Sequence, residues 1–373
     1  MPAPIYLDYN ASTPVAPEVL EAMTDAFRHA HGNALSTHAF GVAARGIVER
    51  ARGQVASLIG AEADEIVFTS GGTESNNAAI RGVADALAAR GRHMVITAIE
   101  HASVDETCRV LEGQGWGVAR VPVDPWGSID PRAVESAIRP DTVLVSVMHA
   151  NNETGVIQPV AAAARAARAK GVLVHTDAAQ SLGKIRVHVR ELDVDLLSIA
   201  GHKLYAPQGI GALYIRRGTP FEPLLRGAGH QDNRRSGTES VALSAALGAA
   251  CALAERELEA RGRHLQEMRD RLESRLRGLF PGLIVHGGER KRLPNTLYVA
   301  IPGIDANALL ARIDGLATGS GAACHSGSAK PSKVLLAMGV KPEIARATLR
   351  LTTGRETTAA EIDEAASRLA AGA

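Results

Sequence analysis

Lys203 stands on a Gly-His-Lys corner between two apolar runs of strand length, residues 194–199 (VDLLSI) and 210–215 (IGALYI), with Pro207, Gly209 and Gly211 marking the turn between them. An amine at the mouth of a sheet is partly desolvated, which favours its neutral, nucleophilic form and suits condensation with an aldehyde. A solvated lysine on a surface turn is the competing explanation, and this segment alone does not separate the two. A second reactive type is Cys324, in a loop of small residues (GSGAACHSGSAKPS, 319–332) with His325 adjacent and Lys330 close by. A thiol in such a setting is exposed, mobile and readily ionised, as a nucleophile must be. Cys108 and Cys251 read instead as small buried side chains.

The elements that must position these groups alternate in type. A strand over 65–69 runs directly into SGGTESNN and a helix, so that Thr73 and the free N–H groups of 71–74 form an anion site at a helix start. Strands are predicted at 94–98, 118–121, 143–148 and 172–175, with helices from 103 and over 160–170 between them. Helices are also predicted at 17–30 and 42–59. This alternation predicts a mainly parallel, doubly wound sheet, in which ligands sit at the carboxyl ends of strands. Thr73, His101, Asn151, Asp177, Gln180 and Lys203 all fall at such exits, more polar groups than packing requires.

Together these groups suit pyridoxal 5'-phosphate (PLP). Its aldehyde needs the Lys203 amine and its phosphate needs the Thr73 helix start. Its pyridine nitrogen needs an anion, which Asp177 supplies, so that the ring acts as an electron sink. His101 is the best-placed planar side chain for the ring face.

Bulk properties set limits. A chain of 373 residues, 46% hydrophobic, predicts two domains, and a formal net charge of +1 gives no reason to expect nucleic acid or a membrane as partner. No apolar run approaches the roughly 20 residues of a membrane span. The start, MPAPIYLDYNASTP, lacks the features of a signal peptide. Three scattered cysteines argue against a disulfide framework or a metal site and fit a reducing cytoplasm. The division expected is a large domain over 15–255 and a small one built from 1–14 and 256–373. The long alanine-rich helix 241–279 makes the crossing. In the small domain, strands are predicted at 297–301 and 348–352 and helices at 307–313 and 359–370. Arg350 alternates with Leu349 and Leu351, so its side chain lies on the opposite face from theirs; either it or Arg355 could pair with a substrate carboxylate.

The motifs YLDYNAST, FTSGGTESNN, EHASV, MHANNETGVIQPV, HTDAAQ, GHKLYAPQGIG, RSGTE and RLTTGR, with the Cys324 loop, occur in order over nearly the whole chain. In these the sequence resembles cysteine desulfurases of the NifS/IscS type, with the PLP-dependent class V aminotransferase fold (fold type I). The resemblance implies an α/β large domain plus a smaller α+β domain, in a cytoplasmic homodimer. It implies Lys203 as the Schiff-base lysine, His101 stacked on the ring, and Asp177 at the pyridine nitrogen. Asn151 and Gln180 would bond the phenolic oxygen, and Gly72, Thr73 and His202 the phosphate, joined by Thr238 from the other subunit. Arg350, Asn33 and Asn151 would contact the substrate. The implied reaction converts L-cysteine to L-alanine, leaving a persulfide on Cys324 for a sulfur-acceptor protein. The acceptor could serve iron–sulfur cluster assembly, a thio-cofactor or nucleic-acid sulfuration. Two departures stand out: Ala200 replaces the usual phosphate-binding serine, and Asn33-Ala34-Leu35-Ser36 replaces the usual Asn-Pro-Ser-Ser. Selenocysteine lyase is the near rival, since GAACHS with PSKVLL resembles those enzymes too. A transaminase of this fold would have no use for Cys324, and a non-catalytic sulfur-relay scaffold would have none for Lys203, Asp177 and His101.

Overall fold

Runs of four or five residues, most of them rich in Val, Ile and Leu with no alternation, form the centre of the computed structural model, which describes residues 4–320, 322–325 and 328–373, with 322–325 and 328–330 given by backbone only. Strands buried on both faces need no polar side, which is why these segments read as continuous apolar runs. Seven of them pair in the order Ile66–Thr69, Gly211–Ile215, Leu196–Ala200, Leu173–Asp177, Thr142–Ser146, His93–Thr97, Gly117–Val121. The last five in that order run parallel; Gly211–Ile215 is antiparallel to both of its neighbours.

Helices cover both faces. On one lie Ala39–Ile59, Val160–Ala169 and the first part of Val241–Leu279, closing a core that includes Val55, Val174, Leu197 and Leu247. On the other, Gly72–Leu87 and Ala102–Gly113 close a second core around Ile80, Ile96 and Leu213. The crossovers leave the carboxyl ends of the parallel strands at one rim, where loops and helix starts collect.

The remainder forms a four-stranded antiparallel sheet in the order Gly319–Ser320, Thr348–Thr352, Thr296–Ala300, Ile284–Val285. It has its own core, in which Leu297, Leu349 and Leu351 meet Ile362 and Leu369 of the helix Ala359–Gly372. Ile5–Tyr6 pairs with Leu316–Ala317 and so joins the N-terminal segment to this part of the fold. The helix Val241–Leu279 is continuous over 39 residues. Its Leu247, Cys251 and Ala254 belong to the large core, and its Met268, Leu272 and Leu276 to the small one.

The segment expected as a loop over 319–332 is a correction. Ala322–His325 and Ser328–Pro331 pair antiparallel as a hairpin, with Cys324 opposite Ala329. These strands hold no β-branched or aromatic residue, so nothing in their composition signals pairing. Among the described residues, no helix is long and apolar enough to cross a membrane.

Candidate active site

At the carboxyl rim a cleft of ≈ 570 Å³ opens between the large sheet and the small one, a size suited to a small ligand. Lys203 reaches it from a single 3-10 turn, Gly201–Lys203, that follows directly on Leu196–Ala200. Gly201 permits that corner: a Cβ there would sit 2.7 Å from the Ile210 carbonyl oxygen. The turn is tied down from outside, since Thr13 donates through N–H and Oγ1 to the His202 carbonyl, at 2.9 and 3.0 Å. Burial lowers the Lys203 pKa from its ordinary value, and the Arg350 charge adds to this while Asp177 opposes it. The nucleophilic amine form is thereby favoured.

Asp177 ends its strand and is buried, with both carboxylate oxygens accepting. Ala179 N–H donates to Oδ1 at 2.9 Å and Asn76 Nδ2 to Oδ2 at 2.7 Å. His101 caps the helix Ala102–Gly113, its Nδ1 accepting from Ser103 N–H at 3.2 Å. Burial lowers its pKa, Asp177 raising it and Lys203 lowering it. Gln180 faces the cleft while its Nε2 donates to the Asn10 carbonyl (3.0 Å) and its Oε1 accepts from the buried Lys184 Nζ (3.1 Å).

At the cleft's other end, Gly71 has φ of 150°, where glycine is favoured, and it starts the 16-residue helix Gly72–Leu87. The N–H groups of Gly72, Thr73 and Glu74 have no intrahelical acceptor, and Gly72, Thr73 and His202 line the space they face. Ala200 lines it too, and its methyl would lie 3.1 Å from a Cβ at Gly72.

Arg350 enters from the small sheet. Its NH1 donates to the Asn152 carbonyl at 3.1 Å and its NH2 to Asp8 Oδ1 at 2.8 Å, while Nε is buried without a partner. Arg355, the other candidate, does not reach the cleft. It pairs with Glu18 at 3.1 Å and Glu257 at 3.0 Å.

Two expectations fail. Asn151 is fully buried and turned from the cleft. Its Oδ1 accepts from Glu153 and Thr154 N–H (2.9 and 3.0 Å) and its Nδ2 donates to the Ile99 carbonyl (3.2 Å), so it holds the turn that presents its neighbour Asn152. Two adjacent asparagines at a strand exit cannot both face in, and only the turn decides which does. Asn33 is exposed and outside the cleft, its Oδ1 accepting from Leu35 N–H at 3.0 Å as a local turn cap. Thr238 is exposed and lines an adjoining groove with Ser70 and Gly209 rather than the cleft of its own chain.

The sequence reading missed several residues of the lining, three of them polar groups near Asp177, His101 and Arg350. Asn152, Asn76 and Ser103 line the cleft. Asn76 had a signal: it shares a helical face with Ala79, Ile80 and Val83, where a polar residue needs a reason. The side chain of Cys324 lies outside the described residues. The other two thiols are buried, and burial pushes both pKa values up, that of Cys108 to about 12.

The donor set fits PLP: an amine, an acceptor-only carboxylate, a helix start and a guanidinium with a spare buried N–H ring one cleft. Known proteins are similar to this chain over nearly its whole length. The model of the aminotransferase class-V family matches residues 5–364. The cysteine desulfurase IscS of Dictyoglomus turgidum is 42% identical, over 96% of this chain and 92% of its own. The cysteine desulfurase IscS of Anaeromyxobacter dehalogenans is 45% identical, over 98% and 91%. A solved NifS-like protein superimposes with a TM-score of 0.93 at 36% identity, covering 99% of this chain and 98% of that one.

Proposed function

The chain belongs to the class-V aminotransferase family and is a cysteine desulfurase, and from that premise we propose which of its residues do the work. These families are PLP-dependent in general. In this chain Lys203 would hold the aldehyde carbon and Asp177 the pyridine nitrogen. The helix start at Gly72 and Thr73, with His202, would hold the phosphate, and Gln180 the phenolic oxygen. When bound, the cofactor supplies an electrophilic carbon for amines and a sink for the electron pair left on the substrate α-carbon.

The protein's part is placement and proton control. Arg350 offers its free Nε–H and remaining NH2 proton to the substrate carboxylate, a two-point grip that orients the amino acid. With its basicity lowered by burial, Lys203 is suited to accept and return the α-proton. Asn10, whose Oδ1 accepts from Lys184 (2.9 Å) and Asn295 (3.0 Å), ties the two sheets together beneath the site.

Cys324 is the sulfur acceptor of the chemical step. Its thiolate attacks the substrate sulfur, an S–S bond forms as the carbon–sulfur bond breaks, and L-cysteine plus enzyme thiol give L-alanine plus enzyme persulfide. The unsuitability of the buried Cys108 and Cys251 supports this assignment. A sulfur-acceptor protein then takes the persulfide sulfur, and a homodimer brings Thr238 beside the partner's cleft.

The observation that carries the reading is the convergence of Lys203, Asp177 and Arg350 on one cleft from two different sheets. The test is alanine formation from L-cysteine and from L-selenocysteine by the PLP-loaded protein. Alanine from cysteine, with persulfide on the protein, is expected. Alanine from selenocysteine alone would favour the lyase.

A further inference from the structure

His101 and Asp177 are joined behind the cleft by a chain of hydrogen bonds through two buried neutral side chains. Asn76 Nδ2 donates to Asp177 Oδ2 at 2.7 Å and to Ser103 Oγ at 2.8 Å, and Ser103 Oγ lies 2.8 Å from His101 Nδ1. Asn76, Ser103 and Asp177 are all buried, so water does not compete for these bonds.

The direction of every proton in the chain follows from its one acceptor-only member. A carboxylate oxygen cannot donate, so the Asn76 amide must turn its NH2 to Asp177. The same NH2 reaches Ser103, which uses an Oγ lone pair to accept and leaves its hydroxyl proton for His101 Nδ1. The Ser103 backbone N–H also donates to Nδ1, at 3.2 Å. With two donors aimed at Nδ1, the neutral ring carries its proton on Nε2. Asn76 Oδ1 is left buried and unpartnered, the cost of presenting both amide protons. No described hydrogen bond reaches His101 Nε2, and His101 lines the cleft.

We propose that Asn76 and Ser103 are positioning residues for the desulfurase reaction, locking His101 in the Nε2–H tautomer so that this N–H faces the cleft, with the charge on Asp177 setting the polarity of the chain. The inference rests on the reading of His101 and Asp177 as cofactor contacts. Donation to Nδ1 also opposes a second proton there, in the same direction as burial and the Lys203 charge and against Asp177; His202 is the remaining titratable neighbour.

The test has two arms on the full-length chain. In the first, nitrogen-15 NMR of the histidine rings, with His101 assigned by difference against His101→Gln, reports the tautomer with and without PLP. Wild type is expected in the Nε2–H form. Ser103→Ala and Asn76→Ala should admit the Nδ1–H form and raise the His101 pKa, and Ser103→Thr should restore wild-type behaviour. An Nδ1–H ring in wild type, or variants with unchanged signals, overturns the proposal. In the second arm, kcat/KM for L-cysteine should fall by about tenfold in Ser103→Ala, the scale of one lost hydrogen bond. Its acid limb should move to higher pH as the ring gains basicity. A tautomer change that leaves the acid limb in place overturns the positioning role. Failure of the parent reading looks different: wild type would form no alanine while its ring signals stayed as described.

Discussion

Arg350 NH2 donates to Asp8 Oδ1 at 2.8 Å, a link between residues 342 positions apart that braces the guanidinium from the N-terminal segment while its Nε stays free. The Asn152 carbonyl braces it from a second side. A guanidinium held at two points offers its remaining protons in a fixed direction. Arg350→Ala should therefore cost roughly 2 kcal/mol of transition-state binding, on the order of 30-fold in kcat/KM for L-cysteine. Asp8→Asn should weaken KM by less and leave the cofactor spectrum alone. Unchanged kinetics in Arg350→Ala would remove it from substrate binding.

Lys203 gives the most visible prediction. The purified protein should be yellow, and borohydride should bleach it and fix cofactor mass on the peptide carrying residue 203. Lys203→Ala should take up no borohydride-fixed label and form no alanine. Label on another peptide, such as that carrying the buried Lys184, would reassign the amine.

Cys324→Ser should keep the yellow colour and lose release of sulfide from L-cysteine by several orders of magnitude, because a hydroxyl cannot hold the transferred sulfur. Cys108→Ser and Cys251→Ser should retain activity. Full turnover in Cys324→Ser would take that residue out of the mechanism.

Stability should respond to pH through buried groups with shifted pKa values. Burial pushes His149 and His286 down to about 4, and His175 in the same direction. Their unfolded value is about 6.5. Neutral in the fold and protonated when unfolded at pH 5, they contribute stability that is fully present above about 6.5 and lost as pH falls through 4. Glu100 has the opposite sign. Burial raises it from 4.5 to about 8, against donation from Met148 N–H and Thr97, with the Asp177 charge raising it further. Its contribution is present below 4.5 and lost as pH rises through 8. The urea midpoint should rise from pH 4.5 to 6.5, where three groups outweigh one. Glu100→Gln should make that rise steeper and lift the curve relative to wild type up to pH 8. A variant curve parallel to wild type would disprove a protonated Glu100 in the fold.

Much of this was legible in the sequence because the large sheet is buried on both faces. Runs such as LLSIA and TVLVS have no other use, and the polar residue after each run marks the rim. The helix Val241–Leu279 and the strand Thr348–Thr352 were bounded correctly, and Arg350 was placed on the right face by alternation alone. What failed did so where local geometry outranks pattern. Asn151 and Asn152 differ only in which way a tight turn points them. Asn33 caps its own loop, and the 322–331 hairpin pairs residues with little strand preference. Ser103 escaped because it carries no charge, and the signal at Asn76 has no partner to read until a carboxylate 101 residues away dictates how its amide must sit.

The 39-residue helix has one more consequence. At about 1.5 Å per residue it is a rod of roughly 58 Å embedded at both ends. It contains no proline at which to hinge. Lys203 belongs to one end of this splint and Arg350 to the other, so the gap between amine and guanidinium is a fixed gauge. Such a gauge would read the interval between carboxylate and α-carbon, which every α-amino acid shares, so it would separate α- from β-amino acids and leave the choice among side chains to the other walls of the cleft.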